Sequence, residues 1–335
     1  MHKLLLLGDE AIAQAALDAG LSGMYAYPGT PSTEIMEYIQ ASPQAAADGV
    51  HREWSSNEKT AMEAALGMSY AGKRAMVAMK HVGLNVAADA FINSAVTGVN
   101  GGLVVVSADD PSMHSSQNEQ DSRFYGKFAL VPVMEPRNQQ EAYDMIFEAF
   151  ALSEKYRLPV LFRITTRLAH SRSSVARREK IAQNSVALPS NPRQFVLLPA
   201  IARKQYRALT AVYEKLRTDD AVDGLNRLKS GNGRGTGVIT CGIAYNYLME
   251  NIADRAGDYH VLSVGAYPLK REKVAALVEN CDRVLVLEEG YPIIEEQLRG
   301  LLDRDVKVLG RMDGTVPRDG ELNPTLVAKA LGMNI

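Results

Sequence analysis

The feature of this sequence that most constrains its fold is the alternation of short, continuously apolar segments with longer segments of helical periodicity. Over the first half of the chain the apolar segments include KLLLLG, GMYAYP, RAMVAMK, GLVVVSA and LPVLFRI. Strands that are apolar along their whole length are typical of a parallel sheet covered by helices on both faces. The sequence therefore predicts an α/β fold in which helices flank a parallel sheet, and KLLLLG is expected to be a buried strand.

The alternation is interrupted once and then resumes, which indicates more than one domain. Residues 171–235 contain 13 Lys and Arg against 5 Asp and Glu, which favours a solvated, basic connecting segment with one helix around residues 200–216. A chain of 335 residues also exceeds the usual size of a single domain. We predict an α/β domain over residues 1–175, a basic linker over residues 176–235 and a second, smaller α/β domain over residues 236–335.

The composition excludes several classes of protein. With 23% charged residues and a formal net charge of −2, the chain has no global electrostatic reason to bind nucleic acid or a membrane surface. The apolar run Leu4–Leu7 near the N-terminus is too short for a signal peptide or a membrane span. A cytoplasmic protein is expected.

Metal-binding patterns are missing from the sequence. The two cysteines, Cys241 and Cys281, lie in different predicted elements without metal-ligand spacing, which predicts buried thiols. An iron–sulfur cluster needs about four cysteine thiolates, so this sequence cannot hold one by itself. The six histidines include no HExxH pair. No metal ligand is therefore predicted on this chain.

One predicted helix carries two acidic residues, Glu58 and Glu63, among alanines in the segment NEKTAMEAALGM. Residues five apart lie roughly 140° apart around a helix, so one carboxylate can face inward while the other faces solvent. Glu58 directly follows Ser55, Ser56 and Asn57, which are good N-cap residues. A capping glutamate that complements the helix dipole is one interpretation, and composition alone favours it. A functional carboxylate is the other.

Polar loops follow the predicted strands at their C-terminal ends, where ligands bind in parallel α/β sheets. In YPGTPS, Gly29 lies where a turn can use a positive φ, and Thr30 and Ser32 offer hydroxyls to an anion at the start of the next helix. The same residues are also ordinary turn and N-cap chemistry. Arg167, after the strand in FRITTRLAH, is suited either to bind an anionic group or to form a surface ion pair.

A long polar loop, ADDPSMHSSQNEQDSR, follows another predicted strand. Loops of this length are often functional, although a surface loop is the alternative. Its first acidic residues, Asp109 and Asp110, lack a third ligand at calcium-loop spacing and are expected to begin a helix before Pro111.

The order of these motifs is distinctive. Together, LLLGDEAIAQAALDAG, YPGTPSTEI, NEKTAMEAALGMSYAGKRAMVAMKHVGLNVAAD, GGLVVVSADDPSMHSSQNEQDSR and PVLFRITTRLAHS closely resemble the alpha subunit of indolepyruvate:ferredoxin oxidoreductase. That family belongs to the thiamine-diphosphate-dependent 2-oxoacid:ferredoxin oxidoreductases. The resemblance is strongest over residues 5–170 and extends to GVITCGIAYNYLMEN and VLVLEEGYPIIEEQL in the second domain.

The resemblance implies that the first domain is the pyrimidine-binding domain of a thiamine diphosphate enzyme and that the second is similar to a transketolase C-terminal domain. By motif position, Glu58 is then the catalytic carboxylate that hydrogen-bonds N1′ of the aminopyrimidine. The residues implied to lie beside the cofactor are Tyr27, Pro28, Gly29, Thr30, Gly83 and Asn85. Those implied to lie beside the substrate are Thr30, Ser32, Lys80, His81 and Arg167.

The implied activity is oxidative decarboxylation of a 2-oxoacid, expected to be an aryl pyruvate such as indolepyruvate, to an acyl-CoA, with electrons passed to ferredoxin. The alpha subunit of the family usually continues into a diphosphate-binding domain with a Gly-Asp-Gly motif and a cysteine-rich ferredoxin-like domain. In this sequence, MDGTVPRDGELN has two Asp-Gly pairs but no strand context. The chain is therefore expected to supply half of a shared thiamine diphosphate site.

Partners are expected on the same grounds. Mg²⁺ and [4Fe-4S] clusters are assigned to a partner chain, in a hetero-oligomer with a diphosphate-binding subunit and an iron–sulfur subunit or ferredoxin. A 2-oxoacid and coenzyme A are the expected small-molecule substrates. Two alternatives stay open: a subunit of a split, non-oxidative 2-oxoacid decarboxylase, and a catalytically silent structural or regulatory subunit.

Overall fold

The structure is a computed structural model that describes residues 3–232, 235–301, 307–317 and 320–333, with no side-chain description for 299–301. The chain divides into two compact units. The first comprises Met1–Asp110 and Ser122–Lys215, and the second comprises Pro111–Asp121 and Leu216–Ile335. The predicted division with a linker at residues 176–235 stays a prediction.

The first unit contains eight strands and nine helices among its described residues. Its strands are β1 (Lys3–Leu7), β2 (Gly23–Ala26), β3 (His51–Trp54), β4 (Ala75–Lys80), β5 (Leu103–Asp109), β6 (Val133–Met134), β7 (Val160–Thr165) and β8 (Arg172–Ala176). Its helices are α1 (Gly8–Asp18), α2 (Thr33–Ala41), α3 (Pro43–Ala47), α4 (Glu58–Tyr70), α5 (His81–Thr97), α6 (Arg123–Ala129), α7 (Gln139–Tyr156), α8 (Thr166–His170) and α9 (Pro199–Leu216). A 3₁₀ turn spans Pro192–Phe195.

Six of these strands form a parallel sheet in the order β6, β7, β5, β4, β2, β3. Every residue of β5 and β7 is buried, as is β4 up to its last residue. Helices α4 and α5 pack on β4, and α7 packs on β5. This double cover explains why the strands are apolar along their length, and the predicted α/β fold is confirmed.

The first strand does not follow the prediction. β1 pairs antiparallel with β8 in a separate two-stranded ribbon. Leu6 is buried, but the side chain of Leu5 is 67% exposed, so KLLLLG is not a buried strand. A run of four leucines has no alternation that would reveal which face meets solvent, because burial on one face or both gives the same letters.

Backbone and side-chain hydrogen bonds attach the segment that follows β8 to the rest of the first unit. The backbone N–H of Ile181 donates to the Asp18 carbonyl at 2.7 Å, and that of Ala187 donates to the Ala71 carbonyl at 2.8 Å. The guanidinium of Arg177 donates to both carboxylate oxygens of Asp18, at 2.9 and 2.5 Å. We call residues 177–187 the strap. The helix expected around residues 200–216 is α9.

The second unit is the predicted smaller α/β body. Its strands are β9 (Arg227–Lys229), β10 (Gly235–Cys241), β11 (His260–Val264), β12 (Ala266–Tyr267), β13 (Cys281–Leu287) and β14 (Lys307–Leu309). Its helices are α10 (Asp220–Gly224), α11 (Ala244–Ile252), α12 (Arg271–Val278), α13 (Ile293–Leu301) and α14 (Pro324–Ala330), with a 3₁₀ segment over Ala253–Asp258. The sheet order is β14, β13, β10, β11, β9, and it is parallel apart from the edge strand β9. Cys241 and Cys281, the two predicted buried thiols, both lie in this sheet and are buried.

A loop distant in sequence completes the second unit. The Asp121 carboxylate accepts a hydrogen bond from the backbone N–H of Tyr291 at 2.9 Å, and the Tyr291 hydroxyl donates to the Glu119 carbonyl at 3.0 Å. The hydroxyl of Ser112 accepts from the backbone N–H of Glu321 at 2.6 Å. Most of the predicted polar loop therefore belongs to the second unit.

Candidate functional site

The turn after β2 lies at the C-terminal edge of the first sheet and contains the residues Tyr27 to Ser32. Local hydrogen bonds fix the shape of this turn. The Ser32 hydroxyl donates to the Gly29 carbonyl at 2.8 Å, and the Gly29 N–H donates to the Thr33 hydroxyl at 3.1 Å. Tyr27, Pro28 and Thr30 are exposed along the turn. Ser32 is buried and orders the turn. Its proposed contact with substrate stays a prediction.

Gly29 is needed for space and not for backbone conformation. It does not adopt the positive φ that the sequence suggested. A Cβ placed on Gly29 would lie 3.0 Å from Cδ of Lys80, so the glycine lets the Lys80 side chain approach the turn. Lys80 ends β4, the strand next to β2. The structure thus brings two predicted site residues together across adjacent strands.

Glu58 is the first residue of α4, but it does not cap the helix. Asn57 is the N-cap, and its side-chain oxygen accepts from the backbone N–H of Thr60 at 3.0 Å. Glu58 is half-buried, and across the described residues its carboxylate has no hydrogen-bond or ion-pair partner. Glu63, in contrast, is 53% exposed and lies 3.8 Å from the ammonium of Lys59. Asn57 is therefore the N-cap, and Glu58 is the acidic residue of the first turn, where it complements the helix dipole.

The Glu58 carboxylate lies directly against Gly83. A Cβ on Gly83 would be 2.6 Å from Cγ of Glu58 and 2.7 Å from its Oε1, distances that side chains do not sustain. Gly83 is in the first turn of α5, which begins immediately after β4. The N-terminal turns of α4 and α5 therefore meet here. Because Gly83 has no side chain, the Glu58 carboxylate can occupy the space beside it.

The other predicted residues lie along the same edge. The Asn85 side-chain oxygen accepts from the Tyr125 hydroxyl at 2.7 Å, which ties α5 to α6. Burial raises the pKa of Tyr125, so this hydroxyl keeps its proton as donor at neutral pH. His81 is buried at the start of α5. Arg167 is exposed on α8 after β7, two strands or about 10 Å from β4 along the sheet.

A buried charge network at this edge was not predicted. The guanidinium of Arg163, which is fully buried in β7, lies 2.6 Å from Oδ2 of Asp109 and also hydrogen-bonds Glu135. A second buried arginine, Arg123, lies 4.0 Å from Glu135. Asp109 ends β5 and does not begin a helix as expected. The available signal was an arginine inside the apolar strand LFRIT, because a buried charge requires partners.

The residues present fit the pyrimidine ring that the resemblance implies. A half-buried carboxylate that has no partner in the described chain, held against a glycine, is suited to accept a hydrogen bond from a flat heteroaromatic ring. Two contacts are found at this edge among the described residues: Lys80 lies against Gly29, and Glu58 lies against Gly83. Asp313, in the Asp-Gly pair of MDGTVPRDGELN, accepts from the N–H groups of Gly310 and Thr315. Asp319, in the second pair, lies outside the described residues.

Comparisons with known proteins identify the family. The family model described as pyruvate flavodoxin/ferredoxin oxidoreductase, thiamine diP-bdg, matches residues 14–210. The indolepyruvate oxidoreductase subunit IorA of Methanothermobacter marburgensis is 41% identical over 335 residues, which is 98% of this chain and 54% of that protein. IorA of Archaeoglobus fulgidus is 42% identical over 342 residues, which is 99% of this chain and 54% of that protein. The chain spans about half the length of the curated relatives it matches.

Solved structures confirm the fold. The 2-oxoglutarate:ferredoxin oxidoreductase from Magnetococcus marinus, with 2-oxoglutarate, coenzyme A and succinyl-CoA bound, matches with a TM-score of 0.81 at 16% identity, covering 98% of this chain and 65% of that one. A split gene transketolase, an inactive beta4 tetramer, matches with a TM-score of 0.58 at 14% identity, covering 98% and 97%. Among the described helices, none is both long and apolar enough to cross a membrane.

Proposed function

This chain belongs to the thiamine-diphosphate-binding family of pyruvate flavodoxin/ferredoxin oxidoreductases, and from that premise we propose that it is one subunit of a 2-oxoacid oxidoreductase complex. The substrate class is aryl pyruvates, which the similarity to IorA of indolepyruvate oxidoreductase supports. The products are an acyl-CoA and electrons for ferredoxin. Oxidative turnover distinguishes this function from a split decarboxylase that only protonates the carbanion.

The observation that carries the proposal is the partnerless Glu58 carboxylate against Gly83. Bound thiamine diphosphate supplies a nucleophilic carbon for the 2-oxo group and a place for the electron pair left by loss of CO₂. The Glu58 carboxylate would accept a hydrogen bond from N1′–H, which the pyrimidine ring carries in its protonated and imino forms, and stabilising those forms favours loss of a proton from the exocyclic amine. Gly83 gives the carboxylate access to the ring, and half-burial strengthens the hydrogen bond.

Other residues of the same edge bind and orient. Tyr27, Pro28, Gly29 and Asn85 line the cofactor in this proposal. Positive charge from Lys80 and Arg167 attracts the substrate carboxylate, and the Thr30 hydroxyl and the His81 imidazole lie beside it. Ser32 acts on the substrate side by ordering the turn that presents Thr30, since its hydroxyl donates to the Gly29 carbonyl. The exposure of Thr30 and Arg167 supports their accessibility to substrate.

The proposed reaction also requires a diphosphate-binding domain, Mg²⁺ and iron–sulfur clusters. We propose that a partner subunit supplies the diphosphate-binding domain and Mg²⁺, and that an iron–sulfur partner carries the [4Fe-4S] clusters. The cysteine content supports this, since two cysteines are too few to ligate a cluster and buried thiols are typical of a reducing, cytoplasmic location.

The test is Glu58→Gln in the assembled complex, with Glu63→Gln in the same helix as the matched control. Glu58→Gln removes the acceptor charge and is expected to lower 2-oxoacid-dependent reduction of ferredoxin by about 100-fold or more, while native mass spectrometry shows an intact complex. Glu63→Gln should retain activity, because Glu63 is exposed and pairs with Lys59 at 3.8 Å. If Glu58→Gln reduced ferredoxin as fast as Glu63→Gln and wild type, the chain would be a catalytically silent subunit.

A further inference from the structure

A second group of side chains that can act as metal ligands lies in the first unit and has no part in the proposed function. Asp9 is in the first turn of α1, Glu34 is in the first turn of α2 and His170 is the last residue of α8. Each offers one ligand atom, and these three atoms all lie within 4.8 Å of one another. Three separate helices thus converge on one point.

Asp9 is the observation that points to a ligand. Its side chain is completely buried, and neither carboxylate oxygen has a hydrogen-bond donor among the described residues. A hydrogen bond with Glu34 is open to it only if one of the two carboxyl groups is protonated. Burying an ionised carboxylate without a partner costs several kcal/mol, so the fold must supply either a proton or a cation here.

The surroundings favour a cation. One oxygen of Glu34, Oε2, is also buried without a partner in the described chain, while Oε1 lies 3.5 Å from Nε2 of His170. An imidazole directed at a carboxylate pair offers a third ligand to a metal. The side chains of Glu34 and His170 are each 34% exposed, which leaves an entry path and room for a water ligand.

The donor set decides the kind of cation. The imidazole argues against Mg²⁺ and Ca²⁺, which favour oxygen ligands alone, whereas Zn²⁺ accepts both histidine nitrogen and carboxylate oxygen. Ligand atoms around a tetrahedral Zn²⁺ are about 3.3 Å apart, so the three side chains need to close by about 1.5 Å at most. Rotation of the Glu34 and His170 side chains is sufficient for this, since both are partly exposed.

We propose that Asp9, Glu34 and His170 bind one Zn²⁺ ion that fastens α1, α2 and α8 together. The site is structural and open at a fourth position. It stands on contacts within this chain and is independent of thiamine diphosphate and of any partner.

The test uses the full, tag-free chain after treatment with a chelator and dialysis. Zn²⁺ alone should bind with a stoichiometry of one in calorimetry and raise the melting temperature, and Co²⁺ should give the visible absorption bands of a tetrahedral site. Mg²⁺ should do neither.

His170→Ala should weaken Zn²⁺ binding on the order of 100-fold. The matched control is His51→Ala, which removes another histidine paired with a glutamate, Glu53, at 3.0 Å on the surface.

Asp9→Asn separates the two ways of compensating the buried carboxylate. If the site binds Zn²⁺, this variant loses affinity by a factor similar to that of His170→Ala. If Asp9 and Glu34 share a proton, Zn²⁺ has no effect on the wild-type melting temperature, and Asp9→Asn is as stable as wild type or more so. That second pattern, or equal Zn²⁺ binding by His51→Ala and His170→Ala, would overturn the proposal.

Discussion

At the residue scale, the contact between Glu58 and Gly83 is the feature on which the site depends. The spacing of Glu58 and Glu63 predicted that one faces inward and one faces solvent, because helix geometry fixes the angle between them. The sequence could not give Gly83 as the neighbour, since that contact joins two helices. The interpretation of Gly29 was wrong for the same reason: the space it leaves is filled by Lys80 from another strand.

Gly83→Ala tests this contact. The added Cβ would lie 2.6 Å from Cγ of Glu58, so the carboxylate must move, and we expect turnover of the assembled complex to fall at least about tenfold, the cost of one misplaced catalytic group. Stability should change by less than about 1 kcal/mol, because Ala is the better helix former and Glu58 can swing toward solvent. Turnover and melting temperature are measured together.

Gly67→Ala is the control for this substitution. Gly67 lies in α4, and a Cβ there meets nothing within 4 Å. This variant should keep full turnover. A loss of activity equal to that of Gly83→Ala would mean that the effect is not displacement of the carboxylate.

At the element scale, the strap makes a buried contact that its composition did not reveal. Its composition is basic, but Arg177 reaches a carboxylate that is completely buried, Asp18. Asp18 also accepts from the Tyr143 hydroxyl at 2.7 Å. Burial, and then the Asp18 hydrogen bond, raise the pKa of Tyr143, which keeps that hydroxyl a donor. The composition of a segment predicts its average exposure to solvent. It cannot show that one arginine of the segment has a buried partner.

Asp18→Ala should therefore destabilise the first unit. It leaves the Tyr143 hydroxyl without its buried acceptor and detaches Arg177, and we expect a loss of about 3 kcal/mol in the free energy of unfolding, as for a broken buried pair. Urea denaturation followed by circular dichroism measures it.

Neighbouring residues provide the comparison. Arg178 pairs with Glu148 at 3.3 Å, with both side chains nearly half exposed. Glu148→Ala should cost less than about 1 kcal/mol, because solvent screens that pair. Similar losses in both variants would contradict the role assigned to Asp18.

At the scale of the whole molecule, the parallel sheets were predictable and the grouping of segments was not. Continuous apolar strands between helices are a local pattern and gave the α/β fold. The membership of Pro111–Asp121 in the second unit rests on hydrogen bonds to Tyr291 and Glu321, which no local pattern encodes. β1 illustrates the same limit, since its antiparallel partner β8 lies more than 160 residues away in sequence.

The chain alone should be free of iron and inactive. Purified without oxygen, it is expected to contain less than about 0.1 iron per chain, because a cluster needs about four thiolates and the sequence has two cysteines. Iron and thiamine diphosphate should appear only with a second polypeptide, identified by mass spectrometry. The Glu58→Gln chain should recruit that polypeptide equally well, which separates assembly from catalysis. Iron–sulfur clusters in the isolated chain would contradict the proposal that a partner subunit carries them.

The loop that completes the second unit also sets an order of events during synthesis. Residues 111–121 leave the ribosome about 170 residues before Tyr291, which at 5–20 residues per second is about 10 to 30 s. For that time Asp121 is without the Tyr291 backbone group that it will bind, and Ser112 waits longer, because its partner Glu321 is 209 residues further along the chain. A gene fragment starting at residue 216 lacks the loop altogether, so the second unit is best expressed with residues 111–121 supplied, either on the same chain or as a synthetic peptide.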